Sequence, residues 1–176
     1  MPKPYYEPAE SDPAWLRTAV QVHGHLGPAV IFGVRIGAAS LEAVGASGYF
    51  DVEVVAEGPF AVPPKTCILD GLQISTGATL GKRNLTVVET DDYVFRIKNR
   101  KTGKIAELHP LPEVLKLMRA RLEADGSGKD NHDEYEHNKN GHKKDDARTE
   151  MQRVEAVARQ IAVLPFEKIA SVVLEK

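Results

Sequence analysis

The sequence predicts an α+β fold, an antiparallel meander sheet packed with helices, and three observations carry that prediction. Apolar residues Ile31, Val34, Ala38 and Leu41 recur at helical spacing after Pro28. Short alternating or β-branched runs at 51–57, 85–89, 93–99 and 104–108 read as strands. The links between the last three are too short for crossover helices, so they imply hairpins.

Taken in order, residues 1–12 form an irregular arm, because Pro2, Pro4 and Pro8 each remove a backbone donor and fix φ. From residue 13 to 176 the chain reads as one α+β domain. A helix from about Asp12 to Gln21 has Asp12 as its expected N-cap and Pro13 at its first position. It stops at the His23-Gly24-His25 turn. Pro28 opens a second helix to Val44, which Gly45 ends, and Gly33 and Gly37 on that helix imply a close approach by another element. A strand at 51–57 precedes a stiff connection through Gly58, Pro59, Pro63 and Pro64. Thr66 is the expected cap of a short helix carrying Cys67 in its first turn, and Gly77 ends it. The three meander strands follow, joined by Thr90-Asp91-Asp92 and by the turn 100–103. A helix runs from after Pro110 to about Glu123. Residues 125–146 hold almost no apolar side chain and read as a loop or disordered insertion. A long amphipathic helix, 147–163, and a helical tail over FEKIASVVLEK close the chain.

Composition narrows the function classes. A chain of 176 residues that is 42% hydrophobic can bury a real core. Its 23 basic and 25 acidic side chains leave a net charge of -2, which gives no pull toward nucleic acid or anionic lipid. No apolar run approaches the roughly 18 to 20 residues that span a bilayer, and the proline-rich, acidic start does not read as a secretory signal. The single cysteine, Cys67, excludes an intrachain disulfide and fits a reducing, cytoplasmic location.

Two features carry possible chemistry. His23 and His25 are separated by one glycine, which lets both imidazoles point the same way from an extended backbone. A helix-ending turn with exposed imidazoles is the alternative. Cys67 at a helix N-terminus feels the positive end of the dipole, which favours the thiolate that binds metal or attacks electrophiles. A small buried hydrophobe is its alternative.

At this point HGHLGPAVIFGVRIG, 23–37, and KTCILDGLQISTGATLGKRNL, 65–85, together with NRKTGK, are similar to the FmdE family of formylmethanofuran dehydrogenase subunits. The resemblance implies an FmdE-like α+β core that tends to form homodimers. It also implies a metal site with His23, His25 and Cys67 as ligands. Two nitrogens and one sulfur suit zinc, or another borderline-soft divalent ion, and leave a fourth position for water or substrate. Asp70, one turn after Cys67, can orient a ligand, act as a base or serve as a further ligand. Departures narrow the inheritance. Gly27 and Ala78 stand where the family often has cysteine, so chemistry needing two thiols is not expected. The cysteine-rich zinc ribbon of many relatives is not expected either. One cysteine cannot hold the iron-sulfur clusters of the complete dehydrogenase.

The stretch GATLGKRN, 77–84, resembles a P-loop but is one residue short between its glycines, and it enters a strand. It reads instead as a polar rim of Thr79, Lys82 and Asn84, with Lys82 able to neutralise a small anionic substrate. His132, His137 and His142 lie evenly spaced in the polar insertion and read as a solvated tail or a weak metal site. The expected function is a metal-binding protein acting on a small carbonyl or carboxyl compound or a one-carbon carrier. The alternative is a non-catalytic metal-delivery or docking module for a molybdenum or tungsten oxidoreductase partner.

Overall fold

A computed structural model describes residue 4, residues 8–123 and residues 143–175. His132, His137 and His142, and all of the predicted insertion before residue 143, lie outside the described residues. The order is α1 (Ala14–His23), α2 (Pro28–Val44), β1 (Val52–Gly58), α3 (Cys67–Thr76), β2 (Leu85–Glu89), β3 (Val94–Asn99), β4 (Ile105–Pro110), α4 (Pro112–Glu123), α5 (Lys143–Val163) and β5 (Ala170–Glu175). Short 3-10 turns at Tyr49–Asp51 and Phe166–Lys168 lead into β1 and β5.

The fold is α+β, as expected, but the sheet is mixed and its order is β2-β1-β3-β4-β5. β1 lies between β2 and β3, parallel to the first and antiparallel to the second. The expected hairpin through Thr90-Asp91-Asp92 is therefore absent, and that link instead crosses the end of β1. Gly58 makes the crossing possible. A Cβ there would stand 2.5 Å from the Tyr93 ring, while the Thr90 N–H donates to the Gly58 carbonyl. The parallel β1–β2 pair follows from α3, which lies between them in sequence and returns the chain in the same direction. The tail is corrected as well. Only Phe166–Lys168 is helical, and Ala170–Glu175 forms the edge strand β5 on β4, where the β-branched Val172 and Val173 suit extended backbone better than helix.

The core fills the space between α2 and the sheet. Phe32, Ile31 and Ile36 of α2 are buried with Val54, Phe95, Ile97 and Leu108, and the Phe32 and Phe95 rings meet edge to face at 6.0 Å. Buried Asn99 binds the end of α2 to the sheet by donating to the carbonyls of Val44 and Gly45. Arg35 of α2 ties the end of α5 to that helix, donating to the carbonyls of Ile161, Ala162 and Leu164. The glycines of α2 act as the sequence implied: a Cβ on Gly33 would lie 2.1 Å from the Ile68 carbonyl oxygen, so α2 and α3 touch backbone to backbone.

Two expected caps are not formed. Thr66 makes no side-chain cap to α3, and α1 begins after Pro13 without Asp12 as its cap. Asp12 instead accepts the N–H of Ala9 and a bidentate pair from Arg159 of α5, with contacts of 2.6 and 3.0 Å. The Arg159 hydrogen bond holds the Asp12 carboxyl below its ordinary value of 3.8, against the opposing pull of burial. A depressed carboxylate stabilises the fold above its unfolded pKa, and that contribution is lost as the pH falls through the folded value. Asp12→Asn is expected to cost about 2 kcal/mol at neutral pH by urea unfolding. The gap to the parent should close below pH 3.8, and a pH-independent gap would show that the charge is not responsible.

Candidate metal centre

The site forms where α1 ends. Gly24 takes the left-handed conformation, φ 93°, and its N–H returns to the Val20 carbonyl, so the chain reverses immediately after His23. The reversal, rather than an extended backbone, brings the two imidazoles together, with ring centres 4.6 Å apart and planes tilted by 42°. Leu26, 1% exposed, pins the turn into the core before Gly27 caps α2.

Both rings aim at one place. A Cβ built on Gly27 would lie 3.0 Å from His25 Nε2 and 3.8 Å from His23 Nε2, so the two nitrogens share the space over the Gly27 Cα. On the other side of His23, Nδ1 lies 2.7 Å from the Asp70 carboxylate, which α3 presents one turn after Cys67. An ionised carboxylate can only accept, so Nδ1 carries the proton in this pair and Nε2 presents its lone pair in the neutral ring. That Nε2 is buried and has no hydrogen-bond partner. A buried polar atom without a partner costs about 1 to 3 kcal/mol.

Electrostatics at His23 reflect burial and two neighbours. Burial pulls the imidazole down, but the Asp70 hydrogen bond and the nearby Cys67 sulfur push it up more strongly, to about 9. Cys67 is close enough to act on His23 through its charge, yet it does not satisfy Nε2 with acceptable hydrogen-bond geometry. Among the described residues, no three His, Cys, Asp or Glu side chains stand gathered as a complete ligand set. The cluster is two convergent imidazoles with a thiol beside one of them.

The structure places His25, Cys67 and Asp70 each beside His23 and leaves the other expected site residues elsewhere. Thr79, Lys82 and Asn84 follow the C-terminal end of α3, ten residues or roughly 15 Å along that helix from Cys67. Asn84 is buried, and its amide is used on the carbonyls of Tyr49 and Val52 and on the Thr79 N–H. Thr79 accepts the Lys82 N–H, and the Lys82 ammonium lies 5.8 Å over the Phe50 ring. Sequence reading also missed Gly27 as the floor of the site. Its position between the histidine turn and Pro28 was the available signal.

A mixed sheet with α2 and α3 in backbone contact, and a histidine turn backed by an α3 carboxylate, define an α+β protein of the FmdE kind. The chain belongs to the FmdE family, described as "FmdE, Molybdenum formylmethanofuran dehydrogenase operon", whose family model matches residues 22–171. A similar solved structure is a tungsten formylmethanofuran dehydrogenase FmdE-like protein from Syntrophus aciditrophicus. It shares the fold at a TM-score of 0.54 and 15% identity, over 92% of this chain and 70% of that one. A curated relative, the "Probable S-adenosyl-L-methionine-binding protein" of Archaeoglobus fulgidus, is 32% identical over 89 residues, or 51% of this chain. The match spans 24% of that relative's length. No helix among the described residues is long and apolar enough to cross a membrane.

Proposed function

We propose that the protein binds one divalent metal ion, zinc by its donor set, through His23, His25 and Cys67, and that this centre serves a reaction on a small carbonyl or carboxyl compound. The observation that carries the reading is His23 Nε2, buried, unpartnered and aimed into the space it shares with His25. The Asp70 contact at Nδ1 is the arrangement in which a carboxylate fixes a ligating histidine's tautomer and leaves its far nitrogen for the ion. A cation at Nε2 takes the place of the proton that Asp70 and Cys67 otherwise favour there. Cys67, beside His23, would supply the third donor.

In such a centre His23 and His25 hold the ion, Asp70 keeps the His23 ring oriented, and Gly27 leaves room. A zinc ion there supplies Lewis acidity toward a carbonyl oxygen. A cytoplasmic homodimer is part of the same reading, supported by family membership and by the single, unbridged cysteine. A second reading, docking on a molybdenum or tungsten oxidoreductase, draws on the family's operon description and on an open apolar groove. That groove is lined by Trp15, Ile74 and Val163, the last 80% exposed.

The deciding measurement is the metal content of protein prepared without a histidine tag. About one equivalent per chain, with nitrogen and sulfur donors in the absorption fine structure, is the expected result. A metal-free protein that takes up no added zinc would sink the metal centre and the reaction built on it.

A further inference from the structure

A cavity of about 500 Å³ lies beside the histidine turn, within the range of small-molecule sites. Its wall includes Pro28 and Ala29, which follow Gly27, Lys65, two residues before Cys67, and Ile68, immediately after it. The rest comes from Pro59 and Pro64 of the β1–α3 connection, from Asp91 and Tyr93, and from Leu115, Met118 and Arg119 of α4. The lining is mostly apolar with a few polar groups, the composition that holds an organic body and orients one charged end.

We propose that this cavity is the carboxylate-binding half of the same site: it holds the apolar body of a small organic acid, with Arg119, Lys65 and the Tyr93 hydroxyl recognising its carboxylate. The inference rests on the metal reading above for what the ligand's other end meets. Three observations carry it. Arg119 and Lys65 form no ion pair among the described residues, although both line the cavity. Two cations, Lys65 and Arg119, line the cavity against one lining acid, Asp91. Tyr93 is fixed by its ring, stacked on Phe95 at 6.1 Å and edge-on to Phe60 at 5.6 Å, and its hydroxyl has no hydrogen-bond partner among the described residues. Burial holds that phenol above its ordinary value, with Arg119 opposing and Glu89 adding. It therefore stays protonated at neutral pH and can donate. Arg and a phenol donor suit a planar carboxylate, and prolines with Leu115, Met118 and Ile68 suit its hydrocarbon.

Calorimetric titration with hexanoate and with its neutral isostere hexanamide tests this, with metal content read on the same samples. Hexanoate should bind the parent roughly tenfold more tightly than hexanamide. Arg119→Gln should remove that preference, roughly a tenfold loss, and leave hexanamide unchanged. Tyr93→Phe, which keeps the ring packing, should weaken hexanoate by about threefold. Equal binding of acid and amide, no binding of either, or an unaltered preference in Arg119→Gln would overturn the proposal. Metal present without a carboxylate preference defeats this inference alone. An Arg119-dependent preference in protein that takes up no metal defeats the metal reading and leaves the cavity assignment standing.

Discussion

His23→Ala is expected to weaken zinc binding by roughly a hundredfold or more, beyond the range of about 10- to 100-fold that an outer hydrogen-bond partner commands. The substitution removes the buried Nε2 that lacks any other partner, so no competing interaction offsets the loss. Asp70→Asn should fall near the lower end of that range, about tenfold, because the amide oxygen still accepts from Nδ1 but without charge. Gly27→Ala is the informative third variant. It keeps every donor and places a methyl group 3.0 Å from His25 Nε2, in the space the ion needs. A competition titration against a chromophoric chelator measures all three. If Gly27→Ala binds zinc as the parent does, the nitrogens do not share an ion over that residue. If His23→Ala does so, the centre lies elsewhere in the chain.

Much of this site is legible in the sequence, and the illegible parts share a physical reason. His23, His25, Cys67 and Asp70 occur in two short segments, and local rules place them: a glycine that stops α1, and a helical turn that separates Cys67 from Asp70. Gly33 and Gly37 likewise announce a close helix contact, because a missing Cβ has few other uses inside an apolar helix face. Strand existence is also local, since alternation within β1, β2, β3 and β4 shows in each run separately. Strand order is not. The short β2–β3 link suggests a hairpin, but α3 returns the chain parallel to β1 and places β1 between them, a result set by packing across the whole unit. The tail fails similarly, as its pairing with β4 outweighs any helical tendency in FEKIAS. Motif proximity joins Thr79, Lys82 and Asn84 to the site, whereas the length of α3 carries them to its other end. The cavity of Lys65, Tyr93 and Arg119 draws on three segments with no shared pattern, so only the fold shows it.

Gly71→Ala is expected to destabilise the protein by about 3 kcal/mol, a fall in Tm of roughly 6 to 12 °C for a chain of this size. Gly71 is the α3 counterpart of Gly33. A Cβ there would lie 2.1 Å from the Val30 carbonyl oxygen and 2.6 Å from the Val34 nitrogen. Both are backbone atoms of α2, so no side chain can rotate aside and the helices must separate. Alanine's better helix propensity returns up to about 1 kcal/mol, which is too little to offset the lost packing along α2. Gly81→Ala is the matched control, since its Cβ would meet nothing closer than 3.9 Å, and it should change stability by no more than about 0.5 kcal/mol. The two effects of Gly71→Ala are coupled through α3. That helix carries Cys67 and Asp70 to His23, so displacing it should lengthen the Asp70–His23 contact and lower zinc affinity even at temperatures where the variant remains folded. Thermal unfolding by circular dichroism with and without zinc separates the two. An unchanged Tm would mean that α2 and α3 do not rest on each other at Gly71. A lowered Tm with undiminished zinc affinity would mean that the metal centre does not depend on how α3 is seated.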